Sequence, residues 1–215
     1  HREHRRGQVT GSDALGAWCV AVSLAFVWPQ VWRCHRHDTS HGISPFATLH
    51  AVLGSVLWLA YGILNGIVSV WVSNVSMLVA QVMIAWVIAR HGRMTGRLLV
   101  GYAFAITGLL AVGLATSEWV VGWTAILVSG SGMIPVVLHV ARASNLHGIS
   151  ILSWVVTVVS ACSWLTYGWV SAQPSITYVN YFTVPLMFFV IVRAWRWRNA
   201  NGVPVFGRAA AAVNG

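Results

Sequence analysis

Two tryptophan–asparagine pairs, Trp58 with Asn74 and Trp164 with Asn180, share one internal spacing, and the second pair repeats the first 106 residues later. An indole offers a flat apolar face with a single N–H at its edge. A carboxamide offers two donors and an acceptor. A saturated ring with C–H bonds on its faces and hydroxyls around its rim would be covered by the first group and satisfied by the second. Two such pairs about a pseudo-two-fold axis would enclose one ring from opposite sides. Taken singly, a tryptophan is an ordinary anchor at a membrane interface and an asparagine an ordinary hydrogen-bonding link between helices. Recurrence at one offset is what makes the four residues a candidate binding site. Ser23 and Ser129 match at the same offset and could line that site or simply let helices approach closely.

The offset extends further. Pro29 recurs as Pro135, His41-Gly42-Ile43-Ser44 as His147-Gly148-Ile149-Ser150, and Tyr61-Gly62 as Tyr167-Gly168. The tyrosines and glycines fall one helical turn from the tryptophans and read as packing residues. Pro29 and Pro135 each remove a backbone donor, which makes either a hinge or a static kink.

The elements that must hold these residues are membrane helices. Hydrophobic residues make up 57% of the 215-residue chain and charged ones 8%, against roughly 25% charged in a soluble domain. Charge-free stretches of about 20 residues place seven spans near 14–32, 46–65, 69–89, 98–115, 119–140, 149–170 and 174–194. Nearly continuous apolarity favours helices over the alternating pattern of a β-barrel. Pro29 and Val31 of the first span recur as Pro135 and Val137, so that span belongs to the fold and is not a cleaved leader.

The offset pairs spans one to three with spans five to seven and leaves the fourth unpaired. Four spans separate the two starts, so both units enter the membrane in the same orientation and form parallel repeats. The expected organisation is an N-terminal extramembrane tail (1–13), a first three-helix repeat (14–90), a linker helix with its loops (91–117), a second three-helix repeat (118–194) and a C-terminal tail (195–215), with 199–215 expected to be mobile. All basic residues are arginines, and ten of the 13 lie in the loops and tail on one side of alternating spans. The positive-inside rule then puts the C-terminus in the cytoplasm and the N-terminus outside, with Arg2, Arg5 and Arg6 opposing. Orientation and lipid headgroups account for the net charge of +9 without a nucleic-acid partner.

A Pro29-Gln30 pair closing a first helix, a polar loop, LWLAYG at 57–62 and Asn74, answered by Pro135, SWLTYG at 163–168 and Asn180, resembles the PQ-loop superfamily. Within it the match is to the SWEET sugar transporters and their half-size SemiSWEET relatives. The resemblance covers 14–194 and implies an all-α, seven-helix membrane protein of two parallel three-helix bundles joined by a linker helix. It implies a carrier of mono- or disaccharides by facilitated uniport and alternating access, with Trp58, Asn74, Trp164 and Asn180 around the sugar. It also implies hinge roles for Pro29, Gln30, Pro45 and Pro135. The second repeat departs from the pattern, carrying Val136 where the first has Gln30 and Ile151 where the first has Pro45. The setting expected is a bacterial plasma membrane, crossed several times, with a homo-oligomer as an open possibility.

Other chemistries find less support. No carboxylate sits in mid-span, which argues against proton coupling, although His50 and His139 remain as ionisable groups within spans. The remaining rival is a PQ-loop carrier for an amino acid or other small polar solute, with proton coupling. The chain has no lysine, so covalent retinal is excluded. No nucleophile–base pairing or cofactor motif suggests an enzyme. Cys34, His35, His37, Asp38 and His41 cluster in sequence, but without zinc spacing they read as a loop at the headgroup boundary and not as a metal site.

Overall fold

A computed structural model describes residues 2–41 and 43–204, with no side-chain account of 2–10. Seven α-helices carry the chain: α1 Arg2–Arg36, α2 Pro45–Leu64, α3 Val68–Arg90, α4 Gly96–Thr116, α5 Glu118–Arg142, α6 Ile151–Val170 and α7 Pro174–Ala200. At 1.5 Å per residue, a 20-residue helix spans the roughly 30 Å of bilayer hydrocarbon, and all seven are apolar enough to cross. The chain is an integral, multi-pass membrane protein.

The helices overrun the charge-free windows at several ends. Residues 2–13, expected as an extramembrane tail, continue α1, and α7 runs to Ala200 instead of stopping at 194. A charge marks where a helix leaves the hydrocarbon, whereas its hydrogen-bond ladder continues, because arginine is a good helix former. After α7 the chain turns over 201–204, where the Pro204 carbonyl accepts from Arg198 Nη1 at 2.7 Å. Residues 205–215, which hold most of the tail expected to be mobile, lie outside the described residues, as does Gly42.

Local sequence explains the joints. The serines that end the two HGIS runs cap helices: Ser44 accepts from the Ala47 N–H at 3.3 Å to start α2, and Ser150 accepts from Ser153 N–H at 3.3 Å to start α6. Pro45 occupies the first turn of α2, where its missing N–H costs no ladder bond. The expectation of a hinge at Pro45 therefore has no mechanical basis in this position. The turn into α3 uses Gly66 at φ +64°, whereas its counterpart in the turn into α7 is Ala172 at φ +53°. A Cβ in the left-handed region costs about 1–2 kcal/mol.

Packing follows the repeat. In the first unit α3 lies between α1 and α2; in the second α7 lies between α5 and α6. The units meet along two equivalent seams, α1 against α6 and α5 against α2. Linker helix α4 docks on α2 and α5 only, leaving the α1–α6 seam uncovered. Gly62 and Gly168 let neighbouring helices close up, since a Cβ on Gly62 would lie 2.8 Å from the Trp71 nitrogen and one on Gly168 2.9 Å from the Thr177 nitrogen.

Two of the arginines counted toward membrane orientation also hold loops. Arg93 reaches back to the Ser40 carbonyl and, at 3.1 Å, to the Ile43 carbonyl. Arg198, 5% exposed, donates to the His147 carbonyl at 3.3 Å and to the Ile149 carbonyl at 3.1 Å. Each ties the loop after its unit's first helix to the end of its third, so each three-helix unit is closed on itself at the arginine-rich end.

The core divides accordingly. At the arginine-rich end, Val27, Val31, Ile84 and Ile88 pack within the first unit, and Val140, Leu146 and Val190 within the second. At the opposite, arginine-free end, one cluster joins both: Cys19, Tyr61 and Val70 with Val121, Tyr167 and Ile176.

Candidate functional site

Between the units lies a cavity of about 350 Å³ whose wall includes Trp58, Asn74, Trp164, Asn180, Ser23 and Ser129. Six helices thus deliver the six residues matched by offset into one space: Ser23 from α1, Trp58 from α2, Asn74 from α3, Ser129 from α5, Trp164 from α6 and Asn180 from α7. The remaining wall includes Phe26, Met77 and Met133, one turn nearer the arginine-rich end than Ser23, Asn74 and Ser129, and Met187, two turns nearer than Asn180. Among the described residues no titratable side chain lines it.

The hydrogen bonding refines what each group can offer. The Trp58 indole N–H donates to Ser129 Oγ at 2.8 Å, and the Trp164 N–H donates to Ser23 Oγ at 3.1 Å. Each bond crosses from one unit to the other. The serines therefore orient the indoles, and only the indole faces remain for a ligand. Each asparagine spends one amide N–H on the carbonyl four residues back, Asn74 on Val70 and Asn180 on Ile176, both at 2.8 Å. One N–H and the Oδ1 of each carboxamide are left toward the cavity. This set can stack on an apolar ring face and bond hydroxyls that both donate and accept.

The arginine-free end of the cavity is sealed. Trp58 and Trp164 meet Tyr61 and Tyr167 edge to face, with centroids 5.5 and 5.6 Å apart. Each tyrosine crosses to a glycine of the other unit: a Cβ on Gly16 would come 3.0 Å from Tyr167 Cε2, and one on Gly122 3.0 Å from Tyr61 Cε2. A methyl at either glycine would press on the ring and on the serine beside it, Ser69 at Gly16 and Ser175 at Gly122. Tyr61 Oη also donates to Gln173 Oε1 at 3.1 Å across the units. These seats went unread in the sequence although Gly16 and Gly122 themselves obey the 106-residue offset.

The other candidates lie away from the cavity. Pro29 borders a separate groove on the lipid-facing side of α1, and Pro135 interrupts α5 below the cavity. Pro185, passed over in the sequence, breaks the ladder of α7 between the cavity residues Thr183 and Met187, where the first unit has Val79. Among the described residues the Gln30 side chain makes no hydrogen bond, so the second unit, with Val136 at that position, lacks none by comparison. His50 is held in the α2–α4–α5 contact, 2.8 Å from the Val128 carbonyl and 3.2 Å from Tyr102 Oη, while His139 is exposed. Cys34 is buried in the first unit's core and Asp38 pairs with Arg90 at 2.7 Å. Among the described residues no three His, Cys, Asp or Glu side chains converge on a metal site.

The chain resembles known proteins at both levels. A model of the PQ-loop repeat matches residues 11–71, and a model described as "sugar efflux transporter for intercellular exchange" matches residues 119–197. No curated protein matches the chain significantly in sequence. The solved 3.7 Å structure of a eukaryotic SWEET transporter superposes with a TM-score of 0.67 at 15% identity, covering 87% of this chain and 99% of that one. At that identity the likeness speaks for the fold.

Proposed function

We propose that the chain, similar over 11–71 to the PQ-loop repeat and over 119–197 to the sugar-efflux model, is a seven-helix transporter of the SWEET type that carries small sugars by facilitated uniport through the cavity between its units. The observation that carries this reading is the pairing of two indole faces, fixed by serines of the opposite unit, with two half-used carboxamides. Such a wall suits a pyranose, whose ring faces are C–H and whose rim is hydroxyl. A volume of about 350 Å³ lies at the small end of the roughly 300–1,000 Å³ of ligand pockets and suits one sugar ring better than several.

Alternating access follows from where the units are joined. The shared cluster of Cys19, Tyr61 and Tyr167 closes the arginine-free end, while separate cores serve the arginine-rich end. With the arginine-rich end in the cytoplasm by the positive-inside rule, this state faces inward. Unseating Tyr61 and Tyr167 would open the outer end, and bends at Pro29 and Pro135 would let the inner halves close as each arginine-tied unit turns as a block.

A proton-coupled carrier of amino acids would need charged or titratable partners for its cargo, and the cavity wall offers none. Flux of radiolabelled glucose and sucrose into liposomes, with and without a pH gradient, separates the two. Sugar entry indifferent to the gradient, and lost in Asn74→Ala and Asn180→Ala, is expected. Folded native protein that moves no sugar sinks the proposal; full flux in both mutants sinks the site.

A further inference from the structure

The cavity wall is only partly symmetric. Under the 106-residue offset Ser23, Trp58, Val70 and Asn74 meet Ser129, Trp164, Ile176 and Asn180, so their chemistry is kept. At two positions where both members line the wall it is exchanged: Ser73 of α3 is answered by Val179 of α7, with the Ser73 hydroxyl already spent on the Val70 carbonyl, and Met77 of α3 is answered by Thr183 of α7.

Thr183 is 5% exposed, lines the cavity and makes no hydrogen bond among the described residues. That is unusual here, because a threonine inside a helix commonly returns its hydroxyl to the carbonyl four residues back. Thr48, Thr116, Thr124, Thr157, Thr166 and Thr177 all do so, at 2.7–3.1 Å. Thr107, which does not, is exposed on α4. Its hydroxyl is not among the buried unpartnered atoms and so opens onto the cavity, where it is free to bond whatever fills that space. The two units differ in the same sense. Ser23 and Ser73 of the first donate to the Cys19 and Val70 carbonyls at 2.8 and 2.9 Å, whereas Ser129 and Ser160 of the second donate to nothing in the protein.

We propose that Thr183 is a specificity-determining residue that hydrogen-bonds a ring hydroxyl of the transported sugar. The ring then sits with its hydroxyl-rich edge toward α7 and a C–H face toward Met77. This rests on the reading of the cavity as a sugar site, and it makes the pseudo-symmetric pocket bind its ligand in one orientation.

The test is competition by 2-, 3-, 4- and 6-deoxyglucose against glucose counterflow in liposomes, for the native protein, Thr183→Val and Thr183→Ser. In the native protein at least one deoxy sugar should compete about five- to ten-fold more weakly than glucose, the range expected for one lost hydrogen bond. Thr183→Val keeps the shape of a side chain that bonds nothing in the protein, so it should fold. It should bind glucose about five- to ten-fold more weakly and no longer distinguish that deoxy sugar, the non-additivity expected of two groups in contact. Thr183→Ser should restore the distinction. If the native protein treats all four deoxy sugars as glucose, or if Thr183→Val still discriminates as the native protein does, the assignment is overturned while the sugar reading stands. If glucose itself shows no counterflow in folded native protein, it is the sugar reading that fails.

Discussion

Loosening the arginine-free seal should be measurable through a cysteine already in place. Cys19 is fully buried in the cluster that joins the two units, and it is not part of the cavity wall. With Cys34 and Cys162 replaced by alanine, a membrane-impermeant methanethiosulfonate should reach Cys19 only when that end opens. Tyr61→Phe keeps the ring in its seat on Gly122 and removes only the bond to Gln173, which spans the units at 3.1 Å. One such bond contributes about 1 kcal/mol net. At about 1.4 kcal/mol per factor of ten, its loss should raise the open-to-closed ratio, and the labelling rate with it, about five-fold. Gly122→Ala crowds the seat itself, because its methyl would lie 2.5 Å from Ser175 Oγ and 3.0 Å from Tyr61 Cε2, and should raise labelling further. In right-side-out vesicles the reagent should act from outside. If Tyr61→Phe and Gly122→Ala both label at the native rate, the cluster is packing and not a gate.

Three further outcomes follow from the same geometry. Ala172→Gly should relieve the left-handed alanine at φ +53° and raise stability by about 1 kcal/mol, read as a higher midpoint of thermal unfolding in detergent with sugar flux intact. Arg198→Met should cost about 2–4 kcal/mol, since a buried guanidinium bonded to the His147, Ile149 and Pro204 carbonyls is removed; the same unfolding measurement checks it, and a change below 1 kcal/mol would mean the clamp is idle. Ser129→Ala strands the Trp58 indole N–H at the seam between the units and should cost about 1–3 kcal/mol. The double variant with Trp58→Phe should cost less than the two singles added together.

The repeat carried most of what the sequence could tell about the site. Ser23, Trp58 and Asn74 found their counterparts at one offset, and the cavity assembles all six. What the offset could not say is which unit each residue serves. The bonds from Trp58 to Ser129 and from Trp164 to Ser23 both cross units, and a membrane helix apolar on every side has no polar face to indicate its partner. Gly16 and Gly122 were legible as a matched pair, but their use as seats for Tyr167 and Tyr61 depends on that same unseen crossing. Arg93 and Arg198 escaped for a simpler reason: they stand 105 residues apart, one residue off the common offset, although both hold the loop after their unit's first helix. The helices run on past the charge-bounded spans at residues 2–13 and 195–200, because charge marks the edge of a crossing and not the end of a helix.

Helix α4 gives the two seams different mechanics. On one side α2, α4 and α5 are bound together, with His50 reaching the Val128 carbonyl and Tyr102 closing over it. On the other, α1 meets α6 with no third helix across it. The molecule is then closer to a book than to a pair of equal jaws: α4 lies along the spine, and α1 and α6 are the free edges of the covers. A spine fixes the axis about which the covers swing, so the larger displacement belongs at the α1–α6 edge, against lipid. Spin labels placed across that edge should report wider distance changes during transport than labels placed across the spine.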